Sequence, residues 1–325
     1  QFGITAQNIG YDYEKIQSYK DDVTLKLRQG VEQLFKGNGV ALIRGKAKIC
    51  KDGVVKVNTF NDEQELKSKY IIIATGSVPY ILQIEGINLK GVITSDEIIK
   101  LPKIPESLTI IGGGVIGVEF ATVYAALGTK VTIIETLPRI LYNMDKEISQ
   151  NLKMILKKHG VDVRTGCFVN EIIQEGENLS CVFKENEQEK NVASEYILCA
   201  VGRKSNIDGL FEDEIIKTER NKILVDEKFE TSMKNIFAIG DVIPGMQLAH
   251  LASAQGKVVA ELLAGHKSKI NLDVVPSCVY TRPEIACIGI TEEQAIKSGI
   301  QTKTVKFLTS ANGKSVITKQ ERGFV

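Results

Sequence analysis

The sequence predicts an α/β fold, and three observations predict it. A buried-strand pattern, Leu108-Thr109-Ile110-Ile111, runs into the glycine-rich turn Gly112-Gly113-Gly114-Val115-Ile116-Gly117. A helical segment to about Leu127 follows, closed by Gly128, and a second apolar strand, Val131-Thr132-Ile133-Ile134, ends at Glu135. A helix at Lys146–Lys158, with Ile148, Leu152, Ile155 and Leu156 on its apolar face, then leads to a strand at Val161-Asp162-Val163. Strand–helix–strand–helix–strand is the alternation that lays strands side by side in parallel under covering helices.

The elements on either side are read in order. Residues 21–36 have the apolar spacing of an amphipathic helix, with Val23, Leu27, Val31, Leu34 and Phe35 on one face. Asp21 and Asp22 open it, and Gly37-Asn38-Gly39 closes it. Short strands are expected at 40–43, 54–57 and 70–74. Beyond the central unit, 167–201 reads as short strands ending with 196–201. Residues 236–239 form a strand that presents Gly240-Asp241, and 248–264 form a helix closed by Gly265. A mixed strand and helix region begins at Pro276, with a helix at 292–298.

With 325 residues, the chain has room for two or three domains at about 100–200 residues each. Its composition, 43% hydrophobic and 25% charged, is that of a core-forming globular protein. The charge is nearly balanced, 41 basic against 40 acidic side chains, and gives no reason to expect nucleic acid or an anionic membrane as partner. No apolar run approaches the roughly 18–20 residues of a membrane span. The six cysteines show neither CxxC nor CxxxxC spacing and read as reduced, mostly buried small hydrophobes, which points to the cytoplasm. No metal site is expected. The chain opens on Gln1-Phe2-Gly3 and ends on Glu321-Arg322-Gly323-Phe324-Val325, and both ends read as the interior of a longer protein.

In the central turn each glycine has a role. Gly112 permits the tight turn, Gly114 lets backbone approach a pyrophosphate at a helix N-terminus, and Gly117 allows close helix–strand packing. Glu135 stands at the end of the second strand, where a carboxylate accepts both ribose hydroxyls and repels a 2′-phosphate. NAD is therefore expected rather than NADP. Arg139 complicates that choice: it is either a solvated side chain or a nearby cation favouring NADP. Thr75-Gly76-Ser77, after an apolar strand, is common in α/β proteins. Asp241, past the strand at 236–239, either caps a helix or binds a sugar-alcohol hydroxyl.

Taken in chain order, these segments resemble the two-dinucleotide-binding flavoprotein disulfide reductases, and the lipoamide dehydrogenases among them in particular. The resemblance is carried by Ala74-Thr75-Gly76-Ser77, the turn from Gly112 through Glu119-Phe120, Ala200-Val201-Gly202-Arg203, Ala238-Ile239-Gly240-Asp241-Val242, Leu248-Ala249-His250 and Tyr280-Thr281-Arg282-Pro283-Glu284-Ile285-Ala286. It implies two Rossmann-like dinucleotide-binding domains and the start of an α+β dimerisation domain. Residues 1–105 and 222–273 would form an incomplete FAD domain. Residues 106–221 would form the NAD domain inserted within it, and 274–325 part of the dimerisation domain.

The same resemblance implies the binding residues. On the FAD side these are Asp241 for the ribitol, Thr75, Gly76 and Ser77 passing close to the flavin, Gln247, Leu248, Ala249 and His250 lining it, and Ala47 near the adenine. On the NAD side they are Gly112, Gly113, Gly114, Val115, Ile116, Gly117, Val118, Glu119, Glu135, Val169 and Gly202. Glu119 would lie near nicotinamide and flavin, although a helix-surface carboxylate is the alternative. The implied reaction passes electrons from dihydrolipoamide, on the lipoyl domain of a 2-oxoacid dehydrogenase or related complex, through a redox disulfide and FAD to NAD, in a homodimer.

The sequence departs from the family pattern in three ways. It has no N-terminal glycine-rich loop, no CxxxxC pair and no C-terminal His–Glu pair. Its histidines, His159, His250 and His266, do not have the family's spacing to Glu. No catalytic residue is therefore assigned, and the chain as given is expected to bind NAD weakly without lipoamide activity. The alternatives are another family member, such as a mercuric reductase, a glutathione-type reductase or a soluble transhydrogenase, or a non-catalytic NAD-binding fragment.

Overall fold

The computed structural model describes every residue except 1, 2, 4, 6, 8, 9, 213, 214 and 320–322. The chain ends that suggested a longer protein therefore lie partly outside the described residues. In chain order, α1 (Tyr13–Gly37) precedes an antiparallel sheet of β1 (Lys46–Ile49), β2 (Val55–Asn58) and β3 (Glu63–Leu66). Then come β4 (Ile71–Ile73), β5 (Ser77–Pro79), β6 (Val92–Thr94) and the short α2 (Ser95–Ile98). The central unit follows as β7 (Ser107–Ile111), α3 (Val115–Ala126), β8 (Lys130–Glu135), α4 (Lys146–Lys158) and β9 (Asp162–Thr165). An antiparallel sheet, β10 (Cys167–Glu175), β11 (Asn178–Glu185) and β12 (Gln188–Ser194), leads to β13 (Tyr196–Cys199) and β14 (Arg203–Ser205). The remainder comprises β15 (Thr218–Glu219), β16 (Lys222–Ile223), β17 (Ile236–Ala238), α5 (Ala249–Leu263), the hairpin β18 (Pro276–Val279) and β19 (Ile285–Ile288), α6 (Glu292–Lys297) and α7 (Gly313–Ile317).

The central sheet has the order β6-β13-β7-β8-β9 and is parallel throughout. Its strands are apolar runs because both faces are covered. Side chains alternate between the faces. Ile110, Ile133 and Leu198 join one core with Val118, Ala121, Leu152 and Leu156 of α3 and α4. Ile111, Ile134 and Ile197 join the other, against Val169, Ile172, Cys181 and Phe183 of the antiparallel sheet. The order in which strands are added reverses at β7, with β8 on one side and β13 on the other. The C-terminal end of β7 is thus the switch point where such sheets bind ligands.

A second unit is built on the parallel pair β4 and β17, with Ile71 opposite Ile236 and Ile73 opposite Ala238. Its core gathers Ile49, Ile216, Ile223, Ile236, Val242 and Ile243, and α5 packs on the other side through Val259 against Phe237 and Ile239. The β18–β19 hairpin docks on the α3–α4 side of the central unit: Val279 belongs to that core, and Ile285 and Cys287 pack on it. Among the described residues no helix is long and apolar enough to cross a membrane.

Three expectations are corrected. The first helix starts at Tyr13 rather than Asp21, because Asp12 is the true N-cap and accepts from Lys15 N at 3.2 Å. Its predicted apolar face is left open to solvent: Val23, Leu27, Val31, Leu34 and Phe35 are all exposed. Residues 40–43 form no strand, since apolar character alone supplies no neighbouring ladder, and Val40 N–H instead bonds Phe35 O at the helix end. Finally, of the six cysteines, Cys50, Cys167, Cys181 and Cys199 are buried as expected, but Cys278 is exposed and Cys287 only half-buried, because they lie on a surface hairpin.

Candidate nucleotide and flavin sites

The glycine turn joins β7 to α3 at the switch point, and its four glycines are not equivalent. Gly112 has φ +111°, and a Cβ there would stand 2.5 Å from Ala200 O. A Cβ on Gly113 would meet Ile140 Cγ2 at 2.7 Å, and one on Gly117 would lie 2.0 Å from Gly112 O. The fold itself therefore excludes side chains at these three positions. Gly114 differs: it caps α3 with an ordinary φ of −74°, and a Cβ there would meet nothing within 4 Å. The protein does not need a glycine at Gly114 for its own packing, whereas a group approaching the α3 N-terminus would. That open cradle fits a nucleotide pyrophosphate.

Glu135 faces the same turn. Its Oε2 accepts from Gly113 N at 2.5 Å and its Oε1 from Leu137 N at 2.7 Å. Each carboxylate oxygen keeps capacity for a further donor, which suits ribose hydroxyls. Gly202 follows β13, the parallel strand beside β7, so the structure brings it to the same C-terminal end of the sheet as Gly112. Val115 and Ile116 form the first turn of α3, with Val118 buried beneath. Val169 is buried in the core formed by the antiparallel sheet and the central sheet. Glu119 is not a free surface carboxylate: Oε1 accepts from Tyr280 N at 2.8 Å, tying α3 to the β18–β19 segment.

Of the residues expected on the flavin side, Thr75, Gly76, Ser77 and Asp241 come together where β5 pairs with β14 beside the turn after β17. Ser77 Oγ donates to Asp241 Oδ2 at 2.6 Å and accepts from Arg203 Nε at 2.7 Å, while Arg203 Nη2 bonds Ser77 O at 2.7 Å. The backbone carbonyl of Asp241 accepts from Ser205 Oγ at 3.0 Å and Lys222 Nζ at 2.7 Å. Burial pushes the Lys222 ammonium below its ordinary range, against the pull of Asp241. Thr75 Oγ1 is engaged with Asn206 O at 2.7 Å, leaving the strand end at Gly76 held to the 203–206 segment. Gln247, just before α5, has a buried side-chain nitrogen with no partner in the protein, which fits a site shaped for a bound group. Leu248 is the N-cap of α5, Ala249 its first residue, and His250 Nε2 lies 2.7 Å from Pro276 O.

Ala47 stands apart. It is half-buried in β1 opposite Val57, and only Ile49, two residues on, enters the core beneath β4 and β17. Two parts of the site had no role in the sequence reading. Arg203 sits in a motif but its hold on Ser77 depends on β5–β14 pairing, and Lys222 reaches Asp241 from a hairpin with no motif at all. Among the described residues no cluster of His, Cys, Asp or Glu could hold a metal ion.

Comparison with known proteins agrees with this geometry. Residues 4–256 match the pyridine nucleotide-disulphide oxidoreductase family, and residues 275–325 match the dimerisation domain of that name. The chain is 39% identical to a dihydrolipoyl dehydrogenase of Geobacillus stearothermophilus, covering 100% of this chain and 69% of that protein. It is 37% identical to one from Bacillus subtilis, covering 99% and 69%. Among solved structures it resembles the HOCl-induced flavoprotein disulfide reductase RclA from Escherichia coli, with TM-score 0.84 at 28% identity over 97% of this chain and 72% of that one. A Cu(II) complex of RclA gives TM-score 0.86 at 29% identity, covering 96% and 71%. On the matched sequence and the matched fold together, the chain belongs to the pyridine nucleotide-disulphide oxidoreductases and is an NAD-linked flavoprotein oxidoreductase.

Proposed function

We propose that this protein is a dihydrolipoyl dehydrogenase that takes electrons from dihydrolipoamide carried on the lipoyl domain of a 2-oxoacid dehydrogenase or related complex. The relatives bearing that name share 34–39% identity, against 28–29% for RclA, which favours this reading within the family. Residues 1–105 and 222–273 are assigned to the FAD domain, 106–221 to the NAD domain and 274–325 to dimerisation. A cytoplasmic homodimer is part of the proposal.

The observation that carries the nucleotide assignment is the open cradle at Gly114. The α3 N-terminus stabilises a pyrophosphate there through unpaired backbone N–H groups. Glu135 orients the adenosine ribose, and Gly202 and Val169 border the nucleotide by backbone. Glu119 stands where the turn meets the β18–β19 segment and helps exclude water from the nicotinamide end. On the other side, Ser77 and Arg203 hold the Asp241 carboxylate for a ribitol hydroxyl. Thr75, Gly76 and residues 247–250 border the flavin, and Ala47 lies towards its adenine end. FAD and NAD, when bound, supply the hydride chemistry. The dithiol step is assigned to no residue of this chain.

The test is the visible flavin absorption of the purified, FAD-loaded chain before and after NADH. Bleaching by NADH in preference to NADPH is expected. A bound flavin that neither nucleotide reduces would overturn the pairing of the two sites.

A further inference from the structure

Arg139, four residues past Glu135, raises the NADP question from within the binding loop itself. Residues 135–141 fold back over the glycine turn: Leu141 N donates to Gly113 O at 2.9 Å, and Ile140 packs against Gly113. This loop is the wall on the ribose side of the proposed nucleotide, and an arginine at such a wall would accommodate a 2′-phosphate.

Both terminal nitrogens of its guanidinium are already engaged elsewhere, while Nε is buried without a hydrogen-bond partner. Nη1 donates to Glu293 Oε1 at 3.1 Å and Nη2 to Glu293 Oε2 at 2.5 Å, a two-pronged fork. Nη2 also reaches Tyr142 O at 3.2 Å, and the guanidinium lies 4.5 Å above the Tyr142 ring. The Arg139 side chain is only 17% exposed. Glu293 comes from the first turn of α6, outside the strand–helix unit that builds the nucleotide site.

We infer that Glu293 is a specificity-determining residue: from the C-terminal segment it pins Arg139 and so keeps the ribose wall selective for NAD. The inference rests on the nucleotide reading above. With the fork closed, Arg139 and Glu293 form a neutral pair, and Glu135 is left as the uncompensated charge on residues 135–141. With Glu293 removed, an uncompensated guanidinium stands on the same loop as Glu135. Its charge offsets the carboxylate's repulsion of a 2′-phosphate, and its side chain is released to turn towards one.

The experiment titrates NADH and NADPH against the full chain by nicotinamide fluorescence, at low and at raised salt. The proteins are the wild type, Glu293→Ala, and Glu293→Ala combined with Arg139→Gln. In Glu293→Ala the NADPH-to-NADH affinity ratio should rise roughly three- to tenfold at low salt and less at high salt. The double variant should return to the wild-type ratio. Should Glu293→Ala fail to fold, Glu293→Gln, which keeps an acceptor but loses the charge, should shift the ratio in the same direction. An unchanged ratio in a variant that still binds NADH overturns the inference, as does a raised ratio that persists without Arg139. Failure of the wild type to bind NADH would instead count against the nucleotide site itself.

Discussion

Gly114 and Gly117 lie three residues apart in one turn, yet alanine should act on them in opposite ways. At Gly117 the added methyl would stand 2.0 Å from Gly112 O and 3.3 Å from Ile110 Cγ2. Real Cβ contacts essentially never fall under 3.0 Å, so β7 and α3 must separate by about an ångström at backbone atoms. Forced overpacking of this kind costs roughly 2–3 kcal/mol, and the unfolding midpoint should fall by several degrees. At Gly114 the methyl meets nothing, and φ is already one that alanine adopts. The folding cost is the weaker N-cap, under about 1 kcal/mol. The methyl does fill the space a pyrophosphate would enter, so NADH affinity should fall at least about tenfold, equivalent to about 1.4 kcal/mol. Thermal unfolding paired with NADH fluorescence titration reads both effects. A Gly114→Ala protein that binds NADH as tightly as wild type would refute the assignment of the cradle, however stable it proves.

Three further outcomes are expected. Ser77→Ala removes a hydroxyl that donates to Asp241 and accepts from Arg203, leaving two half-buried charged groups under-satisfied; it should cost roughly 1–3 kcal/mol and speed the loss of bound flavin on dilution, and an unchanged flavin off-rate would remove Asp241 from the flavin site. Burial pushes the Cys181 thiol from 9.0 up to about 12, so the fold favours its protonated form. That contribution is complete below pH 9 and is lost as pH rises towards 12. Stability should therefore decline over that window, and Cys181→Ala should flatten the decline. Alkylation at neutral pH should label Cys278 first and spare Cys181; rapid labelling of Cys181 would contradict its packing.

The sequence by itself determined the central unit almost to the residue. The strand before Gly112, α3, the strand ending at Glu135 and α4 all lie where periodicity and glycine placement put them, because each is decided by short-range rules: apolar runs, helix caps and the steric freedom of a turn. What lay beyond those rules was set by tertiary contact. Apolar residues 40–43 find no ladder and form no strand, and the face of α1 stays uncovered, since patterning states what a segment could bury but not whether a partner stands opposite. The distinction among the four turn glycines depends on distances to Ala200, Ile140 and Gly112, which no spacing encodes. Lys222 reaches Asp241, and Glu293 reaches Arg139 across 154 residues of chain. Such pairings follow from how separate units dock, and docking depends on shape and charge in three dimensions rather than on neighbours in sequence.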